Sequence, residues 1–346
     1  MAARGRRPAV RPAAARAPVR PRDRGEGPLT PADGRPPDAD LAAVGDLLRE
    51  VLGAGVPIAV ERTADGVSTP VYRVRRGAQT TYLRLAEEAH HDLGADAELH
   101  RRLRGLGVRV PGVLHVRASD ARVGRSVLLT TEVPGVSLAE VRDRAVAARV
   151  VADAGADLAV LNGVAVDGFG FVRREGARWP LQAEHPTHAA FVVEHLPDPW
   201  PGPLAGLFDV ARLDRLAQLV SEERARALPS AVLAHGDADV TPVFCRDGRY
   251  TGLIDLGEAR GAEAAFDLGH FLLHDGETLP WPLLPDLLRG YASVRPPPAA
   301  EQVHRSAVLL GLRQLCRWLG PPRSRPLDHP AVLDRARRLR ALLAGA

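Results

Sequence analysis

Apolar residues recur about every 3.6 positions from Leu41 to Leu52, which predicts a helix. Three short runs rich in β-branched and aromatic residues follow, 57-PIAVERT, 70-PVYRVRR and 80-TTYLRLA. They predict three strands, the last two joined by a turn at Gly77. A second helical spacing covers about Ala95–Leu106 and stops at Gly107, and two further strand-like runs lie at 112-GVLHVRA and 126-SVLLTTEV. Beyond Gly135 the period is mostly helical, over 138–162, 204–227, 282–291, 303–319 and 330–344. One strand pair interrupts it, 243-VFCRDG and 250-YTGLIDL, with its turn at Asp247-Gly248. There is no internal repeat. The pattern predicts an α+β fold in two lobes, a small sheet lobe followed by a larger helical one, with ligands expected in the cleft between them.

Residues 1–38 are Arg, Pro, Ala and Gly with almost no large apolar side chain. Such a segment cannot bury enough surface to offset its ordering entropy, so a disordered tail is predicted. That leaves 39–134 for the first lobe and 135–346 for the second. The tail also distorts the charge balance. The first 26 residues carry eight arginines against Asp23 and Glu26, a net of +6, while the whole chain is only +4, so the body carries −2. A near-neutral body predicts no nucleic-acid face. A solvated tail is the simpler reading of residues 1–38, ahead of a segment that binds acidic surfaces.

Composition narrows the chemistry further. There is no lysine; all 46 basic residues are arginine. A Walker-A loop and a pyridoxal-phosphate Schiff base both need a lysine, so both are excluded. Cys245 and Cys316 form neither a disulfide framework nor a zinc motif, which fits a reducing, cytoplasmic setting. No run reaches the roughly 18 apolar residues of a membrane helix, and the basic N-terminus lacks the apolar core of a secretory signal.

The most informative stretch is 235-HGDADVTPVFCRDGRYTGLIDLGEARGAEAAFDLGHF-271. Asp237 closes a His-Gly-Asp turn before the predicted hairpin, and Asp255 follows its returning strand. Antiparallel return brings both carboxylates to one end. Phosphoryl transfer uses such a pair, one carboxylate to orient and deprotonate a hydroxyl and another to hold magnesium on the phosphates. His-Gly-Asp, a short strand pair, Ile-Asp-Leu-Gly and then Phe-Asp-Leu together resemble the catalytic region of the aminoglycoside phosphotransferase family, across about residues 57–275.

The resemblance implies a bilobal protein-kinase-like fold, with a small antiparallel-sheet N-lobe and a larger, mostly helical C-lobe. It implies ATP or GTP with magnesium as cofactors and a hydroxyl on a small molecule as acceptor. It makes Asp237 the catalytic base, Asp255 the metal ligand and Asp267 the brace of the catalytic loop. The turn 66-GVST resembles the family's nucleotide loop, which brings in Ser68 and Thr69. Arg84 matches the strand cation that pairs with the phosphates, and Glu98, on the next helix, its ion-pair partner. Thr131 and Val133 match the hinge whose carbonyl and N–H meet adenine.

Other readings of these residues stay open at this level. Arg84 and Glu98 also suit a surface pair, and Asp267 suits a helix N-cap before 268-LGHFLL. His235 reads as a structural histidine. His270 and His274 have i, i+4 spacing but no evident third metal ligand, so they too read as structural.

Two positions depart from the family pattern. The Asn that holds a second magnesium lies five residues after the base, where this chain has Pro242, which has no side-chain oxygen. Asp239 and Thr241 carry oxygens nearby. The Leu-His pair of the first large-lobe helix reads Leu161-Asn162. A small-molecule kinase is therefore the first expectation, and a weak or inactive pseudokinase that binds nucleotide or metabolite the second. Glu184, Glu194, Asp198, Asp275, Glu277 and Asp286 supply acids for a cationic acceptor, and a solvated face explains them equally.

Overall fold

The computed structural model describes residues 39–63, 69–88, 91–174, 179–321 and 323–345. The predicted tail, 1–38, and Ser68 lie outside the described residues. The first helix, α1 (Leu41–Leu52), begins where the Asp40 carboxylate accepts from the Ala42 N–H. Its 3.6 period turns Val44, Leu47 and Leu48 inward against a sheet. The strands are β1 (Ile58–Arg62), β2 (Val71–Arg76), β3 (Gln79–Leu85), β4 (Val113–Asp120) and β5 (Arg125–Thr131). They pair antiparallel in the order β1-β2-β3-β5-β4. The core between helix and sheet holds Tyr72, Val74, Leu83, Leu85, Val127 and Leu129. Each of its leucines contributes roughly 1.5–3 kcal/mol by burial.

Strand alternation decides where the chemistry points. Leu83 and Leu85 enter that core, so Arg84 between them faces the other way, into the cleft. Helix α2 (Gly94–Gly105) buries Asp96, Leu99, His100 and Leu103 along one stripe.

The chain leaves the sheet through Pro134-Gly135. The Pro134 carbonyl accepts from Thr251 Oγ1 at 2.6 Å. Gly135 has φ +110, and a Cβ there would collide with the Cys245 carbonyl, so only glycine fits. The larger region then contains β6 (Val136–Ser137), α3 (Arg144–Leu161), β7 (Ala165–Asp167), β8 (Phe169–Val172), β9 (Leu181–His185), α4 (His188–Val192) and α5 (Val210–Ala225). After these come β10 (Ala231–Ala234), β11 (Val243–Arg246), β12 (Arg249–Leu253), β13 (Arg260–Ala262), α6 (Ala265–His274), α7 (Leu284–Ala292), α8 (Ala300–Leu319) and α9 (Pro330–Ala344). The predicted hairpin is β11–β12, extended by β6. This is the bilobal α+β, protein-kinase-like arrangement expected, an antiparallel sheet followed by a mostly helical part.

The sequence reading has no counterpart for β7, β8, β9, β10 and β13, which close into a ring in the order β10-β13-β8-β9-β7. Strands of three to five residues show too little alternation to register. Among the described residues no helix is long and apolar enough to cross a membrane.

Candidate active site

Strand β10 leads from the core into His235-Gly236-Asp237, and α6 holds that turn. Asp267 is fully buried. Its Oδ2 accepts from the His235 N–H at 2.8 Å and its Oδ1 from the Gly236 N–H at 3.0 Å. Asn162 adds a third donor, Nδ2 to Oδ2 at 3.0 Å, and also donates to the Leu233 carbonyl at 2.9 Å. Asp267 thus sits as a brace between α6 and the loop. It is not the N-cap of α6: the helix starts at Ala265, with Ala264 at the cap position. A glycine is required in the turn, because Gly236 has φ +91 and a Cβ would collide with the Glu258 carbonyl. His235 ties the turn to the next strand. Its Nδ1 accepts from the Asp237 N–H at 3.4 Å, so its Nε2–H donates to the Ile254 carbonyl at 3.0 Å.

Asp255 arrives at the same place from the hairpin. Val243 pairs with Leu253, and the Ile254 N–H donates to the Pro242 carbonyl at 3.0 Å. Asp255 follows in a left-handed conformation, φ 65 and ψ 63. Aspartate tolerates that region better than most residues, and such outliers concentrate at functional sites. Both carboxylates open into a cleft of about 2630 Å³, Asp237 with 40% of its side chain exposed.

The two α6 histidines lie beside the base position. His270 Nε2 is 3.5 Å from Asp237 Oδ1, and its Nδ1 is 3.2 Å from the Ala238 carbonyl. The His270 and His274 rings lie with centroids 4.6 Å apart, tilted by 32°, and His274 Nδ1 meets Glu277 at 3.0 Å. Burial first, and then the His270 charge, hold His274 below the ordinary histidine range.

On the sheet side, Arg84 Nη1 contacts Asp96 Oδ1 at 3.3 Å. The sequence expectation placed Glu98 there. Instead Glu98 pairs with Arg102 one turn along α2, at 2.7 Å. Asp96 shares the buried stripe with Leu99, His100 and Leu103, while Glu98 is turned away from it. Burial pushes the Asp96 carboxyl up, but Arg84, Arg174 and His100 outweigh it, and the net shift is down. Arg174, which no motif marked, reaches Asp96 Oδ2 at 3.7 Å and donates through Nη2 to the Gly257 carbonyl. Asp96 was legible in principle from the helical period; Arg174 was not, because it comes from a loop 78 residues later.

Thr69 donates its hydroxyl to Glu87 at 2.8 Å and lines the cleft. Thr131 and Val133 line it too, where β5 leaves the sheet. Thr131 is fixed there by reciprocal 2.8 Å hydrogen bonds with Gly112. Of the acids considered for an acceptor, Glu184, Asp198 and Glu277 line the cleft. The other three are engaged elsewhere: Glu194 with Arg313, Asp275 with the Leu283 and Leu284 N–H groups, and Asp286 with Arg144 and Arg289.

The exposed Asp255 carboxylate has the oxygen donors a magnesium ion takes. Pro242 contributes only a carbonyl, already accepting from Ile254.

Comparison with known proteins agrees with this fold. The crystal structure of a thermostable mutant of aminoglycoside phosphotransferase APH(4)-Ia, in ternary complex with ADP and hygromycin B, is similar with TM-score 0.62 and 17% identity, over 88% of this chain and 99% of that one. The GDP and kanamycin complex of APH(2")-IIia matches with TM-score 0.60 and 15% identity, over 88% and 99%. A Haemophilus somnus 129PT protein named as a fructosamine-3-kinase matches with TM-score 0.57 and 14% identity, over 88% and 97%. No curated protein matches the chain in sequence. The family model of the phosphotransferase enzymes, APH, matches residues 59–304, well over half of the sequence and including every site residue above, so the chain belongs to the phosphotransferase enzyme family.

Proposed function

We propose that this chain moves the γ-phosphoryl group of ATP or GTP onto a hydroxyl of a small molecule. The observation that carries this is the convergence of Asp237 and Asp255 on one cleft, from a loop braced by Asp267 and from the end of β12. Asp237 accepts the proton of the acceptor hydroxyl. The new O–P bond forms as the β–γ bridging O–P bond breaks, and the electron pair leaves on the nucleoside diphosphate. Asp255 would hold the magnesium ion, which supplies charge neutralisation on the phosphates. Arg84, anchored by Asp96, binds phosphate oxygens, and Thr69 with its neighbour Ser68 covers them. The Thr131 carbonyl and Val133 N–H receive the base. Glu98 has no part in this site. Relatives of this fold are crystallised with ADP and with GDP, and either nucleotide suits the reading.

In this reading the lobes divide at Pro134-Gly135, with 39–134 holding nucleotide and 135–346 holding acceptor. Two free, buried cysteines suit a cytoplasmic setting. Neither nucleic acid nor membrane is a partner in this reading. Pro242 favours a second reading, a chain that binds nucleotide with little turnover. To separate them, the full chain is titrated with ATP and GTP, with and without magnesium, while its melting temperature is followed. The same samples are assayed for γ-phosphate transfer to a panel of hydroxyl compounds. A magnesium-dependent shift with transfer abolished in Asp237→Ala supports the kinase. A shift without transfer supports the second reading, and no shift with either nucleotide rules out both.

A further inference from the structure

Asp96 is a buried carboxylate set between two guanidinium groups. Its Oδ1 takes Arg84 at 3.3 Å, while Oδ2 faces Arg174 at 3.7 Å without a hydrogen bond. Within this trio one negative charge meets two positive ones. Neither contact is the bidentate fork that arginine and carboxylate form when each is the other's main partner. Of the five N–H donors on each guanidinium, Asp96 takes one from Arg84 and the Gly257 carbonyl takes one from Arg174.

Gly257 locates where these groups meet. A Cβ built on it would lie 3.1 Å from Asp255 Oδ1, 3.6 Å from Arg84 Nη2 and 3.9 Å from Arg174 Nη2. The two arginines and the metal-side carboxylate therefore surround one point of the cleft, and all three line it. They come from β3, from the loop after β8 and from the end of β12. At the position that would supply a second metal ligand, Pro242 has no side-chain acceptor.

We propose that Arg174 is a second phosphate-binding residue of the nucleotide site, supplying the positive charge that a second metal ion would otherwise bring to the phosphates. This rests on the phosphotransferase reading above. In the ground state Arg174 donates to phosphate oxygens beside Arg84. As the β–γ bond breaks, negative charge grows on the departing diphosphate, and a guanidinium held in place by Asp96 and Gly257 meets it without reorganising. Asp96 acts through the two arginines as a positioning residue.

The test compares full-length wild type with Arg174→Ala, Arg174→Gln and Arg174→Lys. Calorimetry measures binding of ATP, ADP and adenosine, each with magnesium. A charge-assisted hydrogen bond lost from a phosphate lowers affinity about 10- to 100-fold. The expected result is that loss for ATP and ADP in the Ala and Gln variants, with adenosine affinity unchanged and part of the loss recovered by Lys. A residue that merely joins the two sides of the cleft would move all three ligands together or none, and either pattern overturns the proposal. If Arg174→Ala fails to fold, Arg174→Gln carries the same comparison. Wild type that binds ATP while the variants bind it equally well sinks only this proposal; wild type that binds no nucleotide sinks the phosphotransferase reading with it.

Discussion

The carboxylate of Asp267 accepts the backbone N–H of His235 across 32 residues of sequence, at 2.8 Å. With Gly236 and Asn162 as further donors, it fixes the turn that presents Asp237. Asp267→Asn turns one acceptor oxygen into a donor facing other donors. A buried polar group left unsatisfied costs about 1–3 kcal/mol. The variant is expected to melt at lower temperature and to lose turnover more than nucleotide affinity, in a thermal melt and a steady-state assay. Unchanged melting and turnover would remove the brace from the account.

Asp96 and Glu98 are separated by a second pair of variants. Removing one side of a fully buried ion pair costs about 3–5 kcal/mol. Arg84 and Arg174 retain 18% and 28% exposure, so Asp96→Asn should cost less than that, yet clearly more than Glu98→Gln, which is a surface change worth about 0.5 kcal/mol or less. Urea unfolding measures both. Equal effects would contradict the assignment of Asp96 as the anchor of Arg84.

Pro242→Asn places a side-chain oxygen where the family pattern has a metal-ligating asparagine. Turnover is expected to rise by about tenfold, equivalent to about 1.4 kcal/mol of barrier, and to acquire dependence on a second magnesium equivalent. Magnesium titration of the initial rate reads both. A variant no more active than wild type, with an unchanged magnesium profile, would mean that the proline costs the site nothing.

Stability should fall on mild acidification. His274 has its pKa lowered in the folded chain by burial and by His270, and burial also lowers His100 and His188. The unfolded chain therefore takes up protons that the folded chain refuses. Their stabilising contribution is complete above the ordinary histidine pKa of about 6.5 and is lost as pH falls towards the lowered folded values. Each group adds up to about 1.4 kcal/mol per pH unit in that window. Urea denaturation at pH 7.5 and 5.5 should show the loss, and His274→Gln should show a smaller one. Equal pH dependence in the two proteins would exclude His274 as a contributor.

Much of the fold was legible because its signals are local. Helix α1 matches its apolar period residue for residue, and the β2–β3 and β11–β12 hairpins follow their turn glycines. The convergence of Asp237 and Asp255 was legible too, because antiparallel return from a short hairpin leaves little freedom in where its ends meet. The ring of short strands β7–β10 and β13 was not, since three to five residues carry almost no periodic signal.

By itself the sequence determined the family, the order of the longer elements, the absence of lysine chemistry and the hairpin that brings Asp237 and Asp255 to one end. Only the tertiary structure decided which carboxylate serves Arg84, that α6 begins before Asp267, and that Arg174 reaches Asp96 and Gly257. The physical reason is range. Periodicity and turn chemistry act over a few residues, whereas the choice between Asp96 and Glu98 depends on how α2 docks. A contact such as Arg174–Gly257, 83 residues apart, exists only once the loop after β8 has packed against the segment after β12.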